Sequence, residues 1–104
     1  MKTQTTLTIA LALAWGGALA APVDDAMNKA GCMACHTPDK KLVGPSFKEI
    51  ATKYKGQADV LAKLMDKVRK GGAGVYGPVP MAPNPPDKIN DADLKAAVEL
   101  ILKS

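Results

Sequence analysis

Residues 31–36 read Gly31-Cys32-Met33-Ala34-Cys35-His36, and no other stretch restricts the fold as strongly. Two cysteines three positions apart, with a histidine directly after them, form the attachment pattern of a c-type haem. Thiols at i and i+3 of a tight turn reach the two vinyl groups on one porphyrin edge and form thioethers. The following imidazole then lies beneath the ring, where a neutral nitrogen binds iron as the proximal ligand. Met33 and Ala34 serve as spacers. Other uses of the pattern fit less well. A Cys32–Cys35 disulfide leaves His36 without a role. A zinc knuckle needs four ligands, whereas the chain has two cysteines and one histidine in all. A thioredoxin-type motif requires a βαβ surround, and no segment reads as a strand.

The first twenty residues have the character of a secretory signal. Lys2 is their only charge, Leu7 to Trp15 is an apolar run too short to span a bilayer, and Ala18-Leu19-Ala20 is an A-x-A cleavage site. Residues 1–20 are therefore expected to be removed, leaving one domain over residues 21–104. An uncleaved membrane anchor is the other reading of the same run. A domain of 84 residues buries little surface by itself, and a haem would add a large apolar centre. Export suits the motif, since thioether attachment outside the cytoplasm consumes both thiols and leaves none for a disulfide.

There are 14 Lys and Arg against 10 Asp and Glu, a net charge of +4 that falls to +3 without Lys2. That is too mild to argue for nucleic-acid binding. Its distribution is uneven: Lys40, Lys41, Lys48, Lys53, Lys55, Lys63, Lys67, Arg69 and Lys70 face only Glu49, Asp59 and Asp66 over the same span. Either a solvated helical surface or a docking face for an acidic partner accounts for this.

Four helices are expected. The first runs from Asp24 to Ala30, with acidic residues at its start, Met27 in the core and Gly31 after it. Ser46 and Glu49 form a capping box ahead of a helix striped by Phe47, Ile50, Ala51 and Tyr54, which Gly56 stops. Gln57 to Lys70 carries Leu61, Leu64, Met65 and Val68 on one face, with Lys67, Arg69 and Lys70 at its negative end. Asn90 caps the last helix, whose buried face is Leu94, Ala97, Val98, Ile101 and Leu102. Between the last two helices, residues 71–89 hold four glycines and five prolines. So long an irregular loop is commonly functional, and its prolines make it stiff. Met81 stands in its middle.

An electron-transfer haem needs a second axial ligand. Without a second histidine, methionine is the natural choice, and it raises the reduction potential. Met33 cannot reach around the ring, while Met27 and Met65 lie on apolar helix faces where methionine fills gaps. Met81 is therefore the expected ligand opposite His36, its alternative use being a hydrophobic plug beneath the loop.

With the haem motif near its amino end and a proline-flanked methionine in a late loop, the chain resembles a class I cytochrome c of the short bacterial c-551 type. The resemblance covers residues 23–103. It rests on the motif at 31–36, on Val43-Gly44-Pro45, and on Tyr76-Gly77-Pro78-Val79-Pro80-Met81-Ala82-Pro83-Asn84. It implies an all-α fold of about four helices around one haem c attached through Cys32 and Cys35, with His36 and Met81 on the iron. It further implies that the Pro45 carbonyl accepts the free imidazole N–H of His36, and that Asn84 donates to the Met81 sulfur. Tyr76 and Lys67 fall where relatives often have Trp and Arg contacting a haem propionate. The chain departs from the family in having Leu100 where an aromatic is common, and two extra residues around Pro85-Pro86.

The expected function is that of a soluble periplasmic electron carrier, a monomer whose iron cycles between Fe(II) and Fe(III). Its expected partners are a cytochrome bc1-type donor and a terminal oxidase or nitrite reductase acceptor, with neither nucleic acid nor membrane insertion involved. No residue is placed as a catalytic acid, base or nucleophile, so no enzyme activity is expected. The alternatives are a haem enzyme or gas sensor with an open sixth position, and a non-haem thiol or metal carrier.

Overall fold

The computed structural model describes residues 21–104; the expected signal segment, residues 1–20, lies outside them. Four α-helices follow in order: α1 over Ala21–Ala30, α2 over Phe47–Tyr54, α3 over Val60–Lys70 and α4 over Asp91–Leu102. A 3₁₀ turn at Cys32–Ala34 carries the cysteine motif. Among the described residues there is no strand, only isolated antiparallel bridges between His36 and Lys41 and between Gly72 and Met81.

Helix α4 is the hub, packing on α1, α2 and α3. The core is Met27, Phe47, Leu64, Leu94, Ala97 and Val98, together with Ile89 from the loop before α4. Met27, Leu94 and Val98 are almost wholly buried, each worth about 1.5–3 kcal/mol relative to exposure. The stripes expected on α2, α3 and α4 all face this core, with Ile50, Tyr54, Leu61, Met65, Val68, Ile101 and Leu102 packed around it.

Local chemistry sets most helix ends. Ser46 Oγ accepts the Glu49 N–H at 3.0 Å to open α2, and Asn90 Oδ1 accepts the Asp93 N–H at 2.8 Å to open α4. Each satisfies a backbone donor that the helix leaves free. Only the serine half of the expected capping box forms: the Glu49 N–H donates to Ser46 Oγ, while the Glu49 carboxylate makes no hydrogen bond back to the Ser46 N–H. Helix α1 starts earlier than expected, at Ala21. Helix α3 starts later, at Val60, because Gly56 (φ 76°) and Asp59 (φ 58°) turn the chain through the left-handed region between α2 and α3. No α-helix includes such residues, and Asp tolerates the conformation better than most.

Candidate haem site

Gly31, at φ 85°, ends α1 and swings the chain into the motif. There the Ala34 N–H reaches Gly31 O at 3.2 Å, while the Cys35 and His36 N–H groups share Cys32 O at 3.2 and 3.0 Å. This tight turn presents Cys32 and Cys35 as free, half-buried thiols. Burial pushes the Cys32 thiol above its usual range, an effect offset in part by a backbone hydrogen bond.

His36 is oriented by the loop that follows. Its Nδ1 lies 2.7 Å from Pro45 O. A carbonyl oxygen only accepts, so Nδ1 carries the proton and Nε2 keeps its lone pair. The Phe47 ring stacks on the imidazole with centroids 5.9 Å apart and planes at 24°. Gly44 passes so close that a Cβ there would sit 2.7 Å from His36 Cε1 and 3.0 Å from Nδ1. The loop is tied at both ends, by Gly44 N–H to Cys35 O at 2.8 Å and by Phe47 N–H to Thr37 O at 2.9 Å. Pro45 and Ser46 are buried.

Met81 sits in the loop between α3 and α4. Its N–H donates to Gly72 O and its carbonyl accepts the Gly72 N–H, both at 2.9 Å. Gly71, at φ 65°, lies against the Met81 carbonyl so closely that any Cβ would collide with it. Met27 belongs to the core, and Met33 and Met65 pack against it. The half-buried Met81 is not among the residues of that cluster.

Asn84 is placed differently from expectation. Its side-chain amide donates to Val68 O at 3.2 Å and Ala82 O at 3.0 Å, and its backbone N–H also reaches Val68 O at 3.1 Å. Both amide hydrogens are thus directed at carbonyls instead of the Met81 sulfur. The reason is the end of α3, where Val68 has a carbonyl without an in-helix partner, a stronger acceptor than a thioether. Asn84 thereby holds the Met81 loop on α3.

Tyr76 is half-buried, and its hydroxyl is enclosed without a hydrogen-bond partner. Burial, with Tyr54 and Glu49 nearby, raises that hydroxyl to about 12. Lys53 Nζ lies 5.8 Å from the ring centroid. Lys67 directs its ammonium over Gly72, 3.4 Å from where a Cβ would stand. No hydrogen bond joins Tyr76 to Lys67.

The residues present fit a haem. They provide two thiols on one turn, an imidazole lone pair fixed by its partner nitrogen, a thioether on a braced loop and a buried hydroxyl with a hydrogen to donate. Three features escaped sequence reasoning: the close approach of Gly44, the core position of Ile89 and the burial of Arg69 beneath the loop. The Val43-Gly44-Pro45 run hinted at the first, and the apolar Ile89 just before the Asn90 cap hinted at the second.

Comparison with known proteins points the same way. The profile of the family described as Cytochrome c matches residues 20–104. The chain is 53% identical over 77 residues to cytochrome c2 of Rubrivivax gelatinosus, covering 74% of this chain and 91% of that protein. It is 47% identical over 72 residues to cytochrome c-551 of Azotobacter vinelandii, covering 69% and 84%. The crystal structure of wild-type Nitrosomonas europaea cytochrome c552 superposes with a TM-score of 0.70 at 41% identity, covering 77% of this chain and 96% of that one. Motif, fold and relatives agree that the chain belongs to the cytochrome c family, among its small class I bacterial members, and binds a covalent c-type haem.

Proposed function

We propose that this protein is a monomeric periplasmic electron carrier whose haem iron is held low-spin between His36 Nε2 and Met81 Sδ. The observation that carries this reading is the placement of Met81. Its backbone is bonded on both sides to Gly72, yet its side chain lies outside the core cluster that takes up Met27, Met33 and Met65. A methionine braced in this way is available for ligation.

The haem supplies one-electron chemistry between Fe(II) and Fe(III); the protein supplies geometry and potential. Pro45 draws on the Nδ1 hydrogen of His36 and makes Nε2 a better donor. Met81 favours the reduced iron as thioether ligands do. The Tyr76 hydroxyl and the Lys67 ammonium are positioned to receive propionates, Lys67 as a point charge. With His36 and Met81 both holding the iron, little would rearrange on electron transfer, and no acid–base step would be required.

Homologues of this kind are electron carriers that meet redox partners. Here we assign a cytochrome bc1-type donor and a terminal oxidase or nitrite reductase acceptor, reached in the periplasm after cleavage following Ala20. No helix of the described residues is long and apolar enough to cross a membrane.

Intact mass, absorption spectra and voltammetry of the purified holoprotein test the proposal. The mass should correspond to a chain beginning at Ala21 with one covalent haem. Met81→His should remain six-coordinate with a lower potential, because imidazole stabilises Fe(III) more than a thioether does. Met81→Ala should open the iron to added ligands. A five-coordinate wild-type ferrous protein that binds carbon monoxide would instead indicate a haem enzyme or gas sensor.

A further inference from the structure

We infer that Arg69 is a positioning residue for Met81, a clamp that fastens the outgoing limb of the Met81 loop beneath the end of α3 and sets how often the sulfur leaves the iron. This rests on Met81 being the ligand, as proposed above. In the sequence Arg69 is one of three cations at the end of α3. In the structure it is set apart from the other two. Its side chain is only 20% exposed. Nη1 donates to Asn84 O at 3.0 Å and Ile89 O at 2.6 Å, and Nη2 donates to Asp91 Oδ1 at 2.6 Å. These acceptors span the loop exit from Asn84 to the first residue of α4. One planar guanidinium with five donors can bridge them; an ammonium has no such fork.

The loop needs an outside donor here. Pro83, Pro85 and Pro86 have no N–H, so this limb has few donors of its own. Its carbonyls at Asn84 and Ile89 both end on Arg69. Ile89 is buried in the core, where an unmatched carbonyl is costly. The contact at Asn84 matters most for Met81. Asn84 is the residue whose amides grip Val68 and Ala82, and Met81 lies three positions before it. Arg69 therefore secures the outgoing limb, as Gly72 secures Met81 itself. Asp91 is 86% exposed, so its ion pair with Arg69 adds little. The two carbonyl bonds carry the clamp.

An added ligand such as imidazole binds the ferric iron only while Met81 is away, so its binding rate follows the population of the open loop. In the ferric holoprotein, Arg69→Gln should bind imidazole about tenfold faster than wild type, equivalent to about 1.4 kcal/mol of lost closure. It should also lose hydrogen-exchange protection at the Met81 and Asn84 amides, and its sulfur-to-iron charge-transfer band should vanish at lower temperature. Arg69→Lys should be faster by about threefold, which keeps the test open if the Gln variant does not accumulate. Asp91→Asn should stay within about twofold of wild type. The faster rates should be insensitive to low denaturant, because a local opening exposes little surface. Wild-type rates in both Arg69 variants, alongside an open Met81→Ala site, would overturn the clamp alone. So would acceleration that rises with denaturant as global unfolding does. A Met81→Ala protein that binds imidazole no better than wild type would remove the ligand assignment, and the clamp with it.

Discussion

His36 shows how one side chain is given its chemistry by neighbours that never touch the metal position. Pro45 selects the tautomer, Phe47 stacks on the ring, and Gly44 leaves the space in which the imidazole stands. Gly44→Ala should force a methyl into the imidazole, costing about 1–3 kcal/mol as overpacking does. A stretched Pro45 contact makes His36 a weaker donor, so the potential should rise; thermal unfolding and voltammetry measure the two effects. Tyr76 offers a pH-dependent test at the same scale. Its hydroxyl holds its proton more tightly in the folded chain, up to about 12, than at the ordinary 10.0. The stability this gives is complete below pH 10, and it is lost as pH rises towards 12, where the unfolded chain releases the proton first. Tyr76→Phe should lose less stability than wild type across that window, as read by denaturant titration at successive pH values.

At the scale of elements, helices α2 and α4 are each begun by one polar side chain, Ser46 and Asn90. Asn90→Ala should destabilise the fold by about 1 kcal/mol, seen as a lower midpoint of unfolding with an unchanged denaturant slope. Helix α3 opens without a side-chain cap, and its other end does more for the site. Val68 and Arg69 there engage Asn84, and Gly71 and Gly72 engage Met81. The loop over residues 71–89 contains no helix or strand, yet Met81 is bonded through both its N–H and its carbonyl to Gly72 just past α3, and Asn84 is bonded to Val68 and Arg69 of α3. Its stiffness thus comes from these anchors as well as from proline content.

The whole molecule is a small core gathered by α4, with the cysteine turn following α1 and the Met81 loop joining α3 to α4. Transient redox partners dock through small, charge-steered contacts. Lys40, Lys41, Lys48 and Lys53 are all exposed, close in sequence to the exposed Leu42 and Val43. Reversing these lysines to Glu should slow electron transfer to an acidic partner and flatten its salt dependence while barely moving the potential. Exposed charges act over about 8 Å at physiological salt, so the rate measured against ionic strength decides the matter. A wild-type rate that does not fall with added salt would assign docking to the exposed apolar residues Leu42 and Val43 instead.

Features governed by neighbours in the chain were legible in the residues alone. The i, i+3 thiols and adjoining histidine define the cofactor chemistry because thioether attachment depends on local spacing. Helix faces follow from a 3.6-residue period, and Ser46 and Asn90 mark helix starts because a cap acts within three residues. What the tertiary structure alone decided involves groups far apart in sequence. The Pro45 carbonyl at His36 was expected only by resemblance, and nothing local showed that Gly44 must be bare for the imidazole to fit. Asn84 turned from the methionine sulfur to Val68, sixteen residues away, because a helix end offered the better acceptor. Arg69 looked like a solvated cation and became a bridge to residues 15, 20 and 22 positions on. Sequence periodicity shows which face a residue occupies; only the packed fold brings together the donors and acceptors that burial obliges to pair.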